Sequence, residues 1–434
     1  MNGTGNGMPI SDVKKILIIS PHFPPSNLVG AHRARLFGIH LPSFGWEPIV
    51  LTVDEKYYEE IPDHNLSRLV PAGLRVEKAT AFRVTRPRLI GDIGLRGFFG
   101  LYRKAKKLIR ENKIDFLLVT IPSFYTALLG RWLHESTGIP YGIDYQDPWV
   151  HRFPGSDRLF SRHWLSMKFA GWMEPIAVKK ATLITGVAEG YYKGVLDRNP
   201  RLGNQALSGA MPIGGEKADH KKVAELGLQP YLFQKSPDKM RLMYAGAMLP
   251  KAYAPLEAIL DTISRNRGVF GDLEIYFIGT GRTPDDPEGY NVRPLAEKYG
   301  LWKSVIFEHP QRIPYLDVLV HLDAVDGVFI LGSTEPHYTP SKVYQGVLSR
   351  KPILAILHEA SSAVNVIRAA NTGVVLAYGG EQEVYRIREE FVEIFERYLA
   401  FIRNFDPRQV NMDAFEQYSA RQVTAALARL LDKL

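Results

Sequence analysis

The chain has 434 residues, 45% of them hydrophobic and 23% charged; a single core stops growing at roughly 250–300 residues, so two globular domains are expected. It contains no cysteine, which excludes a disulfide framework, thiol catalysis and a cysteine zinc site. The formal net charge of +8 lies wholly in the first half, where residues 1–210 hold 28 Lys+Arg against 18 Asp+Glu, a balance that suits phosphate-rich partners and equally a merely soluble surface.

Residues 1–10 are rich in Gly and Asn without charge or apolar run, so a tail over 1–14 is expected to stay outside the fold. The apolar run 16–19 is too short for a signal-peptide core, and no later stretch reaches the roughly 18 apolar residues of a spanning helix. A cytoplasmic protein is expected. Residues 15–20 (KILIIS) read as a strand, followed by a Pro/Gly/Asn loop and a helical pattern over 30–41. Further apolar runs at 48–53, 116–120, 141–144 and 182–185 alternate with helical segments at 98–112 and 123–136. That alternation predicts a parallel sheet covered by helices. Residues 199–217 (NPRLGNQALSGAMPIGGEK) are broken by Gly and Pro and read as an interdomain linker. A second series of runs follows at 242–245, 273–278, 305–307, 325–330, 352–356 and 374–377. The end is helical over 382–403 and 412–433, and Phe415, Val423, Leu427, Leu430 and Leu431 make an apolar stripe expected to return to the first domain. The predicted fold class is α/β, with two doubly wound Rossmann-like domains over 15–205 (plus the last helix) and 206–411, facing a cleft.

In open parallel sheets ligands bind beyond the carboxyl ends of the strands, and four loops there carry candidate chemistry. Gly30 ends the loop PHFPPSNLVG and opens a helix, a place that favours an anion. The loop lacks G-x-G-x-x-G spacing, which disfavours a nicotinamide dinucleotide site. DYQDPW carries Asp144 and Asp147 at a strand end; Asp147 is placed to orient or deprotonate a hydroxyl, or equally to cap a helix. YAGAMLPKAY carries Lys251, suited to a diphosphate leaving group or to solvent. FIGTG, with Gly279 and Gly281, pairs with TPSKVYQGVLSRKPI, where Ser341 and Lys342 follow Pro340 at a helix start that can hold a phosphate.

These motifs, in this order and spacing, resemble the retaining glycosyltransferases of the GT-B fold, the family of sucrose synthases and bacterial polysaccharide mannosyl- and glucosyltransferases. The resemblance covers most of residues 15–434. It implies a nucleotide diphosphate sugar donor in the second domain, with Lys251 facing the diphosphate, Gly279 and Gly281 lining it, and Pro340 and Ser341 capping it. Gly30 would close on the donor from the first domain, and Asp147 and Asp144 would face the acceptor or the transferred sugar. The family's E-x(7)-E signature falls on His337 and Gln345, so both glutamates are replaced; Gln345 can still hydrogen-bond ribose hydroxyls. Ala247 stands where many members carry an arginine, for which Lys342 is positioned to compensate. The resemblance implies transfer with retention and no required metal or cofactor. It leaves open a GT-B nucleotide-sugar epimerase and a catalytically silent binding partner.

For the acceptor, a glycan or a lipid-linked molecule is expected. FFGLYRKAKK (98–107) and RLFSRHWLSMKFAGW (158–172) mix aromatic and basic residues, which suits contact with an anionic membrane at its inner face and equally suits helices that pack their aromatics inward. The basic residues are dispersed rather than gathered in a recognised module, so nucleic acid is not expected as a partner.

Overall fold

The structure is a computed structural model that describes residues 13–85, 87, 90–151, 158–233, 237–283, 286–336 and 338–434. The predicted apolar runs fall in two sheets, each wholly parallel.

The first sheet holds β1 (Lys14–Ile19), β2 (Trp46–Val53), β3 (Arg75–Ala79), β4 (Phe116–Ile121), β5 (Tyr141–Tyr145), β6 (Leu183–Gly186) and β7 (Leu207–Ala210), in the order β3-β2-β1-β4-β5-β6-β7. The second holds β8 (Met240–Ala245), β9 (Leu273–Ile278), β10 (Ile306–His309), β11 (Gly327–Leu331), β12 (Ile353–His358) and β13 (Gly373–Tyr378), in the order β10-β9-β8-β11-β12-β13. The strand order reverses between β1 and β4 and again between β8 and β11, the two places where such sheets open a crevice for ligands.

β1 shows why its residues make a central strand. Ile16–Ile19 are fully buried, and successive side chains leave on opposite faces. Leu17 and Ile19 pack under the helices Ile93–Glu111 and Ala127–Thr137, while Ile16 and Ile18 meet Phe37, Val423, Leu427 and Leu431. The last helix, Ala420–Leu431, crosses back from the second domain and covers the first sheet beside the helix Val29–His40, as Val423, Leu427, Leu430 and Leu431 of its stripe required, whereas Phe415, expected in the same stripe, stays in the core of the second domain.

Three boundaries differ from the sequence reading. The first strand starts at Lys14, inside the stretch assigned to the tail, whose residues 1–12 lie outside the described residues. β3 (RVEKA) and β7 (LSGA) are edge strands without an apolar run, so periodicity misses them; β7 lies inside the expected linker and extends the first domain past residue 205. The terminal helix is split into Met412–Glu416 and Ala420–Leu431, with Asn411 and Ser419 capping the two N-termini. The split has a cause: Gly215 N–H donates to Tyr418 O at 2.9 Å and Ala420 N–H to Gly215 O at 2.8 Å. The two interdomain crossings thus run side by side. Gly214, at φ +82°, lets them approach, since a Cβ there would stand 3.1 Å from the Ala420 backbone.

Candidate active site in the interdomain cleft

The first wall of the cleft is built on the loop after β1 and the helix Val29–His40. This helix buries two arginines, Arg33 and Arg35, and charged side chains are buried only when paired. Arg33 grips Asp144 through two bonds of 2.9 and 2.8 Å and donates to Pro212 O at 2.5 Å; Thr185 Oγ1 donates to the same carboxylate at 2.7 Å. Asp144 is fully buried with both oxygens engaged. The expectation that it faces an acceptor is corrected: it is the anchor that fixes helix Val29–His40 to β5, and taking away one partner of such a pair costs about 3–5 kcal/mol. Arg35 does the same between domains, holding Asp219 at 2.8 and 2.6 Å, with Tyr315 donating to Asp219 at 3.0 Å. His32 lies on Tyr315 with rings 4.4 Å apart, and burial, with Arg35 and Arg312 nearby, pushes its ring down to about 3. It stays neutral in this seam.

Asp147 has the opposite environment. It opens onto a cavity of about 650 Å³ that also borders Gly30, His22, Glu60, Ser123, Gln146 and Arg312. It has no hydrogen-bonding or ionic partner among the described residues, and crowding by the cleft walls pushes its carboxyl up to about 6. Both polar atoms of the buried Gln146 amide, and the Ser123 hydroxyl, likewise lack partners among the described residues. Unpaired polar groups lining a cavity are fitted to a hydrogen-bonding ligand. A Cβ on Gly30 would meet Pro122 O and the Gln146 amide only at ordinary contact, 3.6 and 3.8 Å. The chain itself does not demand a glycine there. Deeper in, His22 Nδ1 donates to Glu60 at 3.0 Å and Ser26 at 2.5 Å; against the cost of burial, these bonds pull the Glu60 carboxyl down to about 2.

The second wall is glycine and lysine. Gly246 follows β8 at φ +120° and Gly279 follows β9 at φ +72°, conformations that side chains resist. Gly281 is required by its own chain, since a Cβ would fall 2.6 Å from Pro310 O. Lys342 reaches over the Tyr244 ring, 3.5 Å from its centre, and its Nζ would lie 3.3 Å from a Cβ on Gly246. It has no acidic partner among the described residues, and burial pushes its ammonium down to about 7. Lys251 sits at the rim, half exposed, 3.3 Å from Glu335, while its carbonyl accepts from Thr334 N–H. Burial first, and then the Asp147 charge, raises the Tyr338 hydroxyl above its usual range.

The remaining candidates divide. Pro340 is buried before the helix Lys342–Leu348, and Ser341 stands exposed at its start without a side-chain cap. Seven residues make a weak dipole, so the charge at this end belongs to Lys342. Gln345 commits its carbonyl oxygen to His220 at 2.9 Å, which turns that atom away from the ribose role expected of it. His337 lies outside the described residues. Sequence reading missed Tyr244, Gly246, Gln146 and Arg312. The first three stand inside motifs it singled out, and Arg312 follows β10 at another strand end, where it bonds Asn27 across the cleft at 3.4 Å. Among the described residues no group of three His, Asp or Glu is arranged to hold a metal ion, and no helix is long and apolar enough to cross a membrane.

Two parallel, doubly wound domains with a returning last helix and a cleft between their switch points define the GT-B fold. No family model and no curated protein matches the sequence. Among solved structures, the chain is similar to Anabaena HepE in complex with UDP-glucose, at 14% identity and a TM-score of 0.60, over 97% of this chain and 100% of that one. It is similar to sucrose-phosphate synthase from Thermosynechococcus elongatus at 13% identity and TM-score 0.61, over 97% and 98%. A Staphylococcus aureus MnaA structure with UDP matches at 14% identity and TM-score 0.51, over 95% and 94%. At these identities the likeness is one of fold.

Proposed function

We propose that the protein is a glycosyltransferase that moves a sugar, with retention of configuration, from a nucleoside diphosphate sugar to a hydroxyl acceptor in polysaccharide or glycolipid assembly. The observation that carries this reading is Lys342, an enclosed ammonium with an aromatic ring beneath it, the positive-φ Gly246 beside it and no counter-charge of its own among the described residues. A diphosphate supplies that charge. As the bond from the anomeric carbon to the phosphate oxygen breaks, its electron pair goes to the diphosphate, and Lys342 stabilises the charge that develops. The acceptor oxygen forms its bond from the same face, while Asp147, unpartnered and poised at about 6, orients or deprotonates the hydroxyl. Uridine diphosphate is the first nucleotide to test, because a HepE structure and the MnaA structure hold UDP and another HepE structure holds UDP-glucose.

The test is thermal stabilisation by UDP, GDP, ADP and their sugars, followed by transfer to a hydroxyl acceptor with the product's anomeric configuration read by NMR. Stabilisation by one nucleotide family and an anomer matching the donor's are expected; no stabilisation by any nucleotide contradicts the reading. The Gln345–His220 bond favours a second reading, a GT-B partner that binds the nucleotide and turns nothing over. Binding without release of the sugar from its diphosphate would select it.

A further inference from the structure

One surface of the first domain reverses the usual arrangement of a helix. The helix Arg162–Val178 buries Ala170, Glu174, Ala177 and Val178 against the domain. On its outer side Leu165, Phe169, Trp172 and Ile176 recur at helical spacing and stand exposed, Trp172 at 64%. Exposed Trp132, from the helix Ala127–Thr137, lines a groove with Ile176, and Trp132 packs edge-on against Phe98 of the helix Ile93–Glu111. Monomeric proteins rarely leave a continuous patch of this kind uncovered.

Its charges identify what covers it. Residues 158–180 contain five Lys or Arg and one acid, and that acid, Glu174, is buried against Arg198 at 2.9 Å. Lys168, Lys179 and Lys180 are exposed at the stripe and beside its end. A second copy would bring the same positive charge to the contact and be repelled. An anionic bilayer takes the aromatic stripe into its interface and the lysines onto its headgroups. The patch also adjoins the cleft: Phe169 contacts the Tyr125 ring at 5.7 Å, and Tyr125 contacts that of Trp149 at 5.8 Å, two residues beyond Asp147.

We propose that this face docks the protein on an anionic membrane surface and, resting on the sugar-transfer reading above, that the acceptor is an amphiphile whose hydroxylated head enters the Asp147 cavity from that surface. The experiment is co-sedimentation of the full chain with phosphatidylcholine vesicles, with and without phosphatidylglycerol, at low and high salt. Binding that requires phosphatidylglycerol and weakens with salt is expected. The double variant Phe169→Ser/Trp172→Ser should lower the partition coefficient at least about 10-fold while its melting temperature and its stabilisation by nucleotide stay those of the parent. Lys168→Glu/Lys179→Glu should reduce binding to the anionic vesicles. Absence of binding at low salt, or equal binding by the double variant, overturns the proposal, as does a dimer that the double variant dissolves without any vesicle binding. Nucleotide stabilisation is measured without vesicles, so failure of docking and failure of the donor-site reading are separate results.

Discussion

The two walls of the cleft are built from the same kind of crevice and carry opposite chemistry. The first presents Asp147, Glu60 and the unpaired Gln146 amide around a cavity; the second presents Lys342 and Lys251 over turns made by Gly246 and Gly279. Hydroxyls suit the first wall, as carboxylates and amides accept and donate without needing a countercharge. Phosphates suit the second, where backbone without side chains lets an anion approach an ammonium. The difference teaches that a symmetrical pair of sheets can be made into a directional site by a few residues at their strand ends.

The largest expected effect separates the two aspartates of the first wall. Asp144→Ala leaves Arg33 buried without its partner and should lower stability by about 3–5 kcal/mol, read by denaturant unfolding. Asp147→Asn should leave stability within about 0.5 kcal/mol while slowing transfer at least about 100-fold, read in turnover assays. If both variants unfold alike, the two residues do not have separate tasks. On the second wall, Gly246→Ala forces a side chain into a φ of +120° and towards Lys342, and should cost about 1–3 kcal/mol of stability together with nucleotide affinity.

The pH dependence sharpens the contrast further. As the proposed base Asp147 must be ionised, so on that reading kcat/KM should rise with pH through about 6. In the proposed transfer Lys342 binds the diphosphate as the ammonium, so on that reading kcat/KM should fall as pH rises above about 7. Asp147→Asn should remove the acid limb alone. A profile that is flat from pH 5 to 8 would argue that neither group titrates in the reaction.

Much of this was legible in the chain because central parallel strands are apolar on both faces and announce themselves. Eleven predicted runs became strands, whereas β3 and β7, at the sheet edges, carry Arg, Glu, Lys or Gly and gave no such signal. The break at 417–419 was hidden because the pairing of Gly215 with Ser419 joins positions some two hundred residues apart. The loops of the site were found by their place at strand ends, but the task of each residue was not. Asp144 and Asp147 look equivalent in DYQDPW, and only the approach of Arg33, from another helix, decides which one is occupied. Gln345 was likewise drawn off by His220, a partner that no local spacing reveals.

The measurement that tests the donor site most directly is a calorimetric titration of UDP into the protein and into Lys342→Met at pH 6.5 and 8. The account predicts binding to the parent that weakens at the higher pH, and in Lys342→Met a loss of about 1.5–3 kcal/mol of affinity with no remaining difference between the two pH values. Equal affinity of parent and variant at both would contradict it.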